Sequence, residues 1–329
     1  MAAPLRTPLC DALGIEVPVV QAPIGSASTP ELVAAVAEAG GLGVLALTWV
    51  SADGAVRGLR RVRQLTDRPF GVNLVLAFPI AATLDACLEE RVPIVSTFWG
   101  DPDAVSGRIR AAGALHLHTV GTADDARRAV AAGVDVVVAQ GWEAGGHVVG
   151  RVSTLALTPA VVDAVAPVPV IAAGGIGDGR GLAAVLALGA QAGWLGTRFL
   201  TATEAATHDV YRRRVLDAAA EDAVHTRCFD GGWPDAPHRT LVNSTLSEWE
   251  RAGAPPAPRR PGEGAVVATA GDGRAFRRYD DMMPVRGMEG DLEAMALYAG
   301  QSVGTVRTNG SAAGIVAALV AEATAALGR

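Results

Sequence analysis

Val168 to Leu200 reads VPVIAAGGIGDGRGLAAVLALGAQAGWLGTRFL: two short apolar runs, Val168 to Ala173 and Gly193 to Phe199, separated by a glycine turn and an alanine-rich stretch. Runs this short and this continuously apolar suit strands buried on both faces, and the Ala/Leu-rich stretch suits the helical crossover between two parallel strands. The same unit recurs toward the N-terminus. Apolar runs occur at Val17 to Ala22, Gly43 to Leu47, Gly71 to Leu76, Ile94 to Phe98, Leu115 to Val120 and Asp135 to Gln140, making eight with the two above. Between them stand helix-starting sequences such as Ser28-Thr29-Pro30-Glu31 and Thr122-Ala123-Asp124-Asp125, in which a capping hydroxyl precedes Pro or acidic residues in the first turn. Eight successive strand-helix units fit an α/β fold closed as a (β/α)8 TIM barrel better than an open doubly wound sheet.

After about residue 208 this rhythm stops. Gly231-Gly232-Trp233-Pro234 and the stretch APPAPRRPGEG read as loops joining a few helices, and Trp233, Trp249 and Phe276 indicate that the region is folded. The expected organisation is a barrel over residues 1–208, a smaller cap domain inserted near the C-terminus over 209–290, and a loop and helix over 291–329 that return to the barrel.

The chain has 329 residues, a formal net charge of -6 and a pI near 5.5, which leaves no basic footprint for nucleic acid. No signal-like apolar core opens the sequence and no apolar run is long enough for a bilayer, so a cytoplasmic protein without a membrane partner is expected. Cys10, Cys87 and Cys228 are scattered and odd in number, giving neither a disulfide framework nor a zinc pattern. All 28 basic residues other than histidine are arginine. Schiff-base, pyridoxal-phosphate and Walker-lysine chemistry are thereby excluded, because each needs an amine.

Barrel sites form where strands end, so the residues after each run are the candidates. Gly174-Gly175 and Gly196-Thr197, one repeat apart, suit a phosphate held by backbone N–H groups after strands seven and eight. His147 ends the glycine loop Gln140-Gly-Trp-Glu-Ala-Gly-Gly146, which can fold closely over a flat ligand while presenting an imidazole as general base. Glu143 is a candidate to orient it. His116 and His118 share one face of the fifth strand, but no carboxylate stands at a matching spacing, so no metal is expected. His118, nearer the strand's C-terminal end, is expected to line the substrate pocket.

These motifs resemble the nitronate monooxygenase family. The resemblance is carried by QAPIG with STPELVAAVAEAGGLG, GVNL, VVVAQGWEAGGHVVG, VPVIAAGGIGDGRG, LGTRFL and AGQSVG, in family order from residue 21 to residue 304. It implies non-covalent FMN, with Ala22, Pro23, Ile24 and Asn73 near the isoalloxazine, Gln140 and Gly145 along it, and Gly174, Gly175, Gly196 and Thr197 around the phosphate. It also implies His147 as catalytic base and an approach of Gln301 and Ser302 to the flavin. The implied reaction converts a nitronate and O2 to a carbonyl compound and nitrite, with a small-molecule substrate and O2 as partners and a homodimer left open. With no lysine, negative charge on the reduced flavin must be met by helix N-termini, backbone N–H groups or arginine. Ile24 stands where the family often has methionine. Trp142 fills the variable position of the glycine loop and is placed with His118 in the substrate pocket. Two alternatives stay open: an NAD(P)H-dependent flavin reductase of the enoyl-acyl-carrier-protein or quinone type, and a relative specialised for another nitro or amino metabolite.

Overall fold

A computed structural model describes residues 5–328; residues 1–4 of the N-terminal stretch read for a leader lie outside them. All eight expected strands are present: β1 (Val19–Gln21), β2 (Val44–Ala46), β3 (Gly71–Val75), β4 (Ile94–Phe98), β5 (Leu115–Val120), β6 (Val136–Gln140), β7 (Val170–Ala173) and β8 (Ala192–Leu195). They form one parallel sheet in the order β1-β8-β7-β6-β5-β4-β3-β2. A parallel bridge between Val20 and Leu42, with Leu42 N donating to Val19 O and Gln21 N to Leu42 O, joins β1 to the β2 side and closes the barrel. The sequence placed the end of the eighth strand at Phe199; instead Thr197–Thr201 turns into a short 3-10 helix that starts at the mouth.

Alternation along the strands separates two apolar layers. Val20, Val44, Ile94, Leu117, Val136, Val138, Ile171 and Ala192 fill the interior, whose N-terminal end is plugged by α1 (Pro8–Leu13). The plug is pinned by Gln191, whose carbonyl accepts from Thr7 Oγ1 and whose side-chain oxygen accepts from Leu9 N. The other parity, including Val72, Leu74, Val95, Val137 and Ala139, meets the outer helices. Those helices are α2 (Pro30–Glu38), α3 (Ala52–Leu65), α4 (Ala81–Glu89), α5 (Asp103–Ala111), α6 (Ala123–Ala131), α7 (Thr154–Val165) and α8 (Gly179–Ala187). Two capping sequences act as read: Thr29 Oγ1 accepts from Leu32 N and Thr122 Oγ1 from Asp125 N, contacts worth about 1 kcal/mol each.

Beyond β8 come α9 (Asp209–Asp217), the hairpin β9 (Ala223–Thr226) and β10 (His238–Leu241), α10 (Ser244–Arg251), and a three-stranded sheet of β11 (Val266–Ala270), β12 (Ala275–Arg277) and β13 (Met288–Gly290). The final helix, α11 (Ala312–Ala326), packs against α8 and α2, where a helix following β8 would lie. Ala202 and Gly310 form a parallel bridge, so the chain leaves the barrel and returns to it at one point. Among the described residues no helix is long and apolar enough to cross a membrane, and no cluster of side chains could hold a metal ion.

Candidate functional site

The ends of β7 and β8 lie side by side, with Ala173 in register with Trp194, so that Gly174-Gly175 adjoins Leu195-Gly196. Gly174 and Gly175 have φ of 96° and 72°, a region that side-chain-bearing residues avoid. Among the described residues the amides of Gly175 and Ile176 have no backbone acceptor. The neighbouring helix α8 offers no free terminus, because Asp178 accepts from Arg180 N and Gly181 N, and Glu322 from Gly179 N. The open donors of this corner are thus in the glycine turn.

Several residues singled out in the sequence converge here. A Cβ built on Gly196 would lie 3.5 Å from Ile24 Cγ2 and 3.7 Å from Ala22 Cβ, which places the QAPIG loop over the eighth strand's end. Pro23 connects the two and is half-buried. Thr197 Oγ1 accepts from Gly300 N, and Gln301 N donates to Glu143 O, tying the AGQS loop to both the 3-10 turn and the glycine loop. Gly145 and Gly300 touch backbone to backbone; a Cβ on Gly300 would come 2.6 Å from Glu143 O. Ser302 is buried beside Gly177. Asn73 points into the barrel mouth and donates to Ser96 Oγ. The Gln140 amide is engaged within its own loop, donating to His147 O and accepting from Val149 N.

His147 is held by an unexpected device. Gly146–His147 forms the third strand of the β9–β10 sheet, with His147 opposite His238, so the glycine loop is stitched to the segment that follows the barrel. Its side chain is 10% exposed, and its Nε2 is buried with no hydrogen-bond partner. Trp233 stacks on the imidazole at a centroid distance of 4.1 Å, and Trp99 meets Trp233 edge-on at 4.9 Å. Asp281 Oδ2 lies 3.9 Å from His147 Nε2, too long for a hydrogen bond. The Tyr298 hydroxyl donates to Asp281 Oδ1, and the Tyr211 hydroxyl donates to Tyr298 O.

Burial disfavours charge on both members of this pair. It pushes His147 down to about 3, helped by His238, and raises Asp281 to about 7 against the opposing Tyr298 hydrogen bond. At rest they are a neutral imidazole and, below about pH 7, a neutral carboxyl, not an ion pair. Above about pH 7 a proton placed on His147 would be met at close range by the ionised Asp281 carboxylate.

Other sequence-selected residues fall elsewhere. His118 does not line the pocket. Leu117 fills the barrel interior, so strand alternation turns His116 and His118 outward toward α5. Both ring nitrogens of His116 and one of His118 are satisfied there, by Ser106 Oγ and Thr97 Oγ1. Burial holds these two histidines at about 3 and 4. Glu143 does not reach His147 either: its carboxylate accepts from Thr154 N and Oγ1 at the start of α7. Trp142 lies on the far side of the glycine loop, against His225 at 4.1 Å. Trp99, Trp233, Asp281 and Tyr298 were missed. Trp99 directly follows the fourth strand, so the strand-end rule could have found it; the other three sit where the sequence has no period.

The family profile for nitronate monooxygenase matches residues 6–83 and 77–322. Among curated proteins, the chain is 39% identical over 281 residues to a 5-hydroxy-7a-methyl-1-oxo-octahydro-1H-indene-4-carboxyl-CoA dehydrogenase of Mycobacterium tuberculosis, covering 84% of this chain and 76% of the relative. It is 36% identical to a nitronate monooxygenase of Paraburkholderia phytofirmans, covering 79% and 81%. Among solved structures, FabK of Thermotoga maritima superposes with a TM-score of 0.82 at 32% identity, over 98% of this chain and 97% of that one. A nitroalkane oxidase of Streptomyces ansochromogenes superposes at 0.79 with 35% identity, over 97% and 99%. With a barrel whose glycine turn offers open backbone donors and a family match spanning nearly its whole length, the chain belongs to the nitronate monooxygenase family of flavin-dependent oxidoreductases.

Proposed function

We propose that the chain holds FMN at the barrel mouth and oxidises alkyl nitronates with O2 to a carbonyl compound and nitrite, His147 removing the α proton when a neutral nitroalkane is supplied. The observation that carries this is His147 Nε2: buried, without a partner, and facing an aromatic pocket beside the glycine loop. A buried acceptor left open costs roughly 1–3 kcal/mol, which a reacting proton would repay. The donor set fits the cofactor. Gly174, Gly175, Gly196 and Thr197 would take its phosphate, Ala22, Pro23, Ile24 and Asn73 would border its ring, and Gln140, Gly145, Gln301 and Ser302 would close over it. Bound FMN would supply the electron transfer from nitronate and to O2.

The protein's own work is positional and electrostatic. Trp233 and Trp99 exclude water and fix the imidazole plane, and Asp281 stabilises the imidazolium once the proton has moved. A second reading, dehydrogenation of a coenzyme A thioester, is favoured by the 39% identity to the M. tuberculosis dehydrogenase, and a reductase reading by the superposition on FabK. Anaerobic mixing of flavin-loaded protein with propyl nitronate, a coenzyme A thioester, NADH and NADPH in separate cells distinguishes them. Bleaching by nitronate, then oxygen-dependent nitrite release, supports the proposal; bleaching by a nicotinamide alone overturns it in favour of a reductase.

A further inference from the structure

The glycine loop has a second face. Opposite the His147 pocket lies an open cleft of about 650 Å³, whose walls include Trp142, Arg151, His225, Arg227 and Trp249. Its charge is unbalanced. Among the described residues neither Arg151 nor Arg227 joins an ion pair, and both are exposed. Arg239, beneath Trp142 with its guanidinium 5.3 Å from the ring, donates only to the backbone oxygens of Trp142 and Ala223. Glu250 is the one carboxylate in the wall. Burial and then these three arginines hold His225 below its ordinary value, while its Nε2 is buried and unpartnered.

Two exposed guanidinium groups, Arg151 and Arg227, offset by one carboxylate call for an anion, and arginine's fixed fork of donors suits phosphate oxygens. The indoles of Trp142 and Trp249 in the same wall suit a flat heterocycle such as adenine. We propose that this cleft binds the adenosine-phosphate end of a dissociable nucleotide, supplied either by a coenzyme A thioester or by a phosphorylated nicotinamide dinucleotide. The site is separate from the phosphate corner at Gly174-Gly175, and its occupancy does not depend on nitronate being the substrate.

The test uses FMN-saturated protein titrated with coenzyme A, dephospho-coenzyme A, NADP+, NAD+ and pyrophosphate, read by tryptophan quenching and by heat of binding. Saturable binding is expected for coenzyme A or NADP+, weaker for the partner lacking the ribose phosphate, and reduced at least about tenfold in the double variant Arg151→Glu, Arg227→Glu. Both side chains are exposed, so that variant should keep its melting temperature and flavin spectrum. Preference for coenzyme A or for NADP+ identifies the source. Absence of binding by both, equal affinity in the double variant, or pyrophosphate binding as tightly as the nucleotides would overturn the proposal.

Discussion

The two faces of the Gln140–Arg151 loop have opposite electrostatics. Toward the barrel mouth, His147, Asp281 and Tyr298 are buried beside Trp233 and their charged forms are suppressed. Toward the outer cleft, Arg151 and Arg227 are exposed to water and join no ion pair among the described residues. Desolvation makes a proton on the inner face respond strongly to one neighbour, whereas exposed charges outside act through number and are weakened by salt. A short loop thus separates a buried, aromatic face from an exposed, cationic one.

The inner face should break first. His147→Ala is expected to lower nitrite formation from neutral nitroethane about 10²- to 10⁴-fold, with a much smaller effect on preformed nitronate; equal losses on both substrates would mean that His147 positions the ligand and removes no proton. Asp281→Asn should then cost about tenfold on neutral nitroalkane at pH 8. Activity of the unaltered protein on that substrate should rise through about pH 7, as Asp281 ionises, and this inflection should vanish in the variant. A steady-state pH series on both substrates measures it.

Stability offers a quieter contrast within the same pair. Asp281 is held protonated up to about 7 against an ordinary 3.8, so its contribution is present at low pH and lost as pH rises between those values. His147, lowered from 6.5 to about 3, works oppositely, losing stability as pH falls through that interval. The slopes largely cancel. Asp281→Asn should therefore melt progressively higher, relative to the unaltered protein, as pH is raised from 4 to 7, and calorimetry at several pH values checks this. The smallest effect is expected at the loop's root: Glu143→Ala removes the carboxylate cap of α7 and should cost about 1 kcal/mol by denaturant titration without moving the pH profile.

Legibility divides along physical lines. Strand ends were readable because glycines that need positive φ, as at Gly174, interrupt apolar runs of fixed period. The side of the fifth strand was not: His116 and His118 were correctly put on one face, but a one-residue choice decides which face points inward, and Leu117 settles it only once the core is known. Asp281 and Tyr298 were illegible because their roles arise from long-range pairing. The bridge between Gly231 and Asp280 brings Trp233 and Asp281 together, and nothing local in either segment announces it.

The meeting of Ala202 and Gly310 has a consequence for how such proteins diversify. Because the intervening chain departs and returns through one doorway, evolution or an engineer can exchange much of it while leaving the parallel strands in register. That excursion carries Trp233, Asp281 and Tyr298, so substituting it would rewrite the surroundings of His147 while sparing the glycine corner at Gly174 and Gly175. The aromatic surroundings of His147 and the glycine corner thus lie on separate lengths of chain, joined through the loop of Gly300 and Gln301.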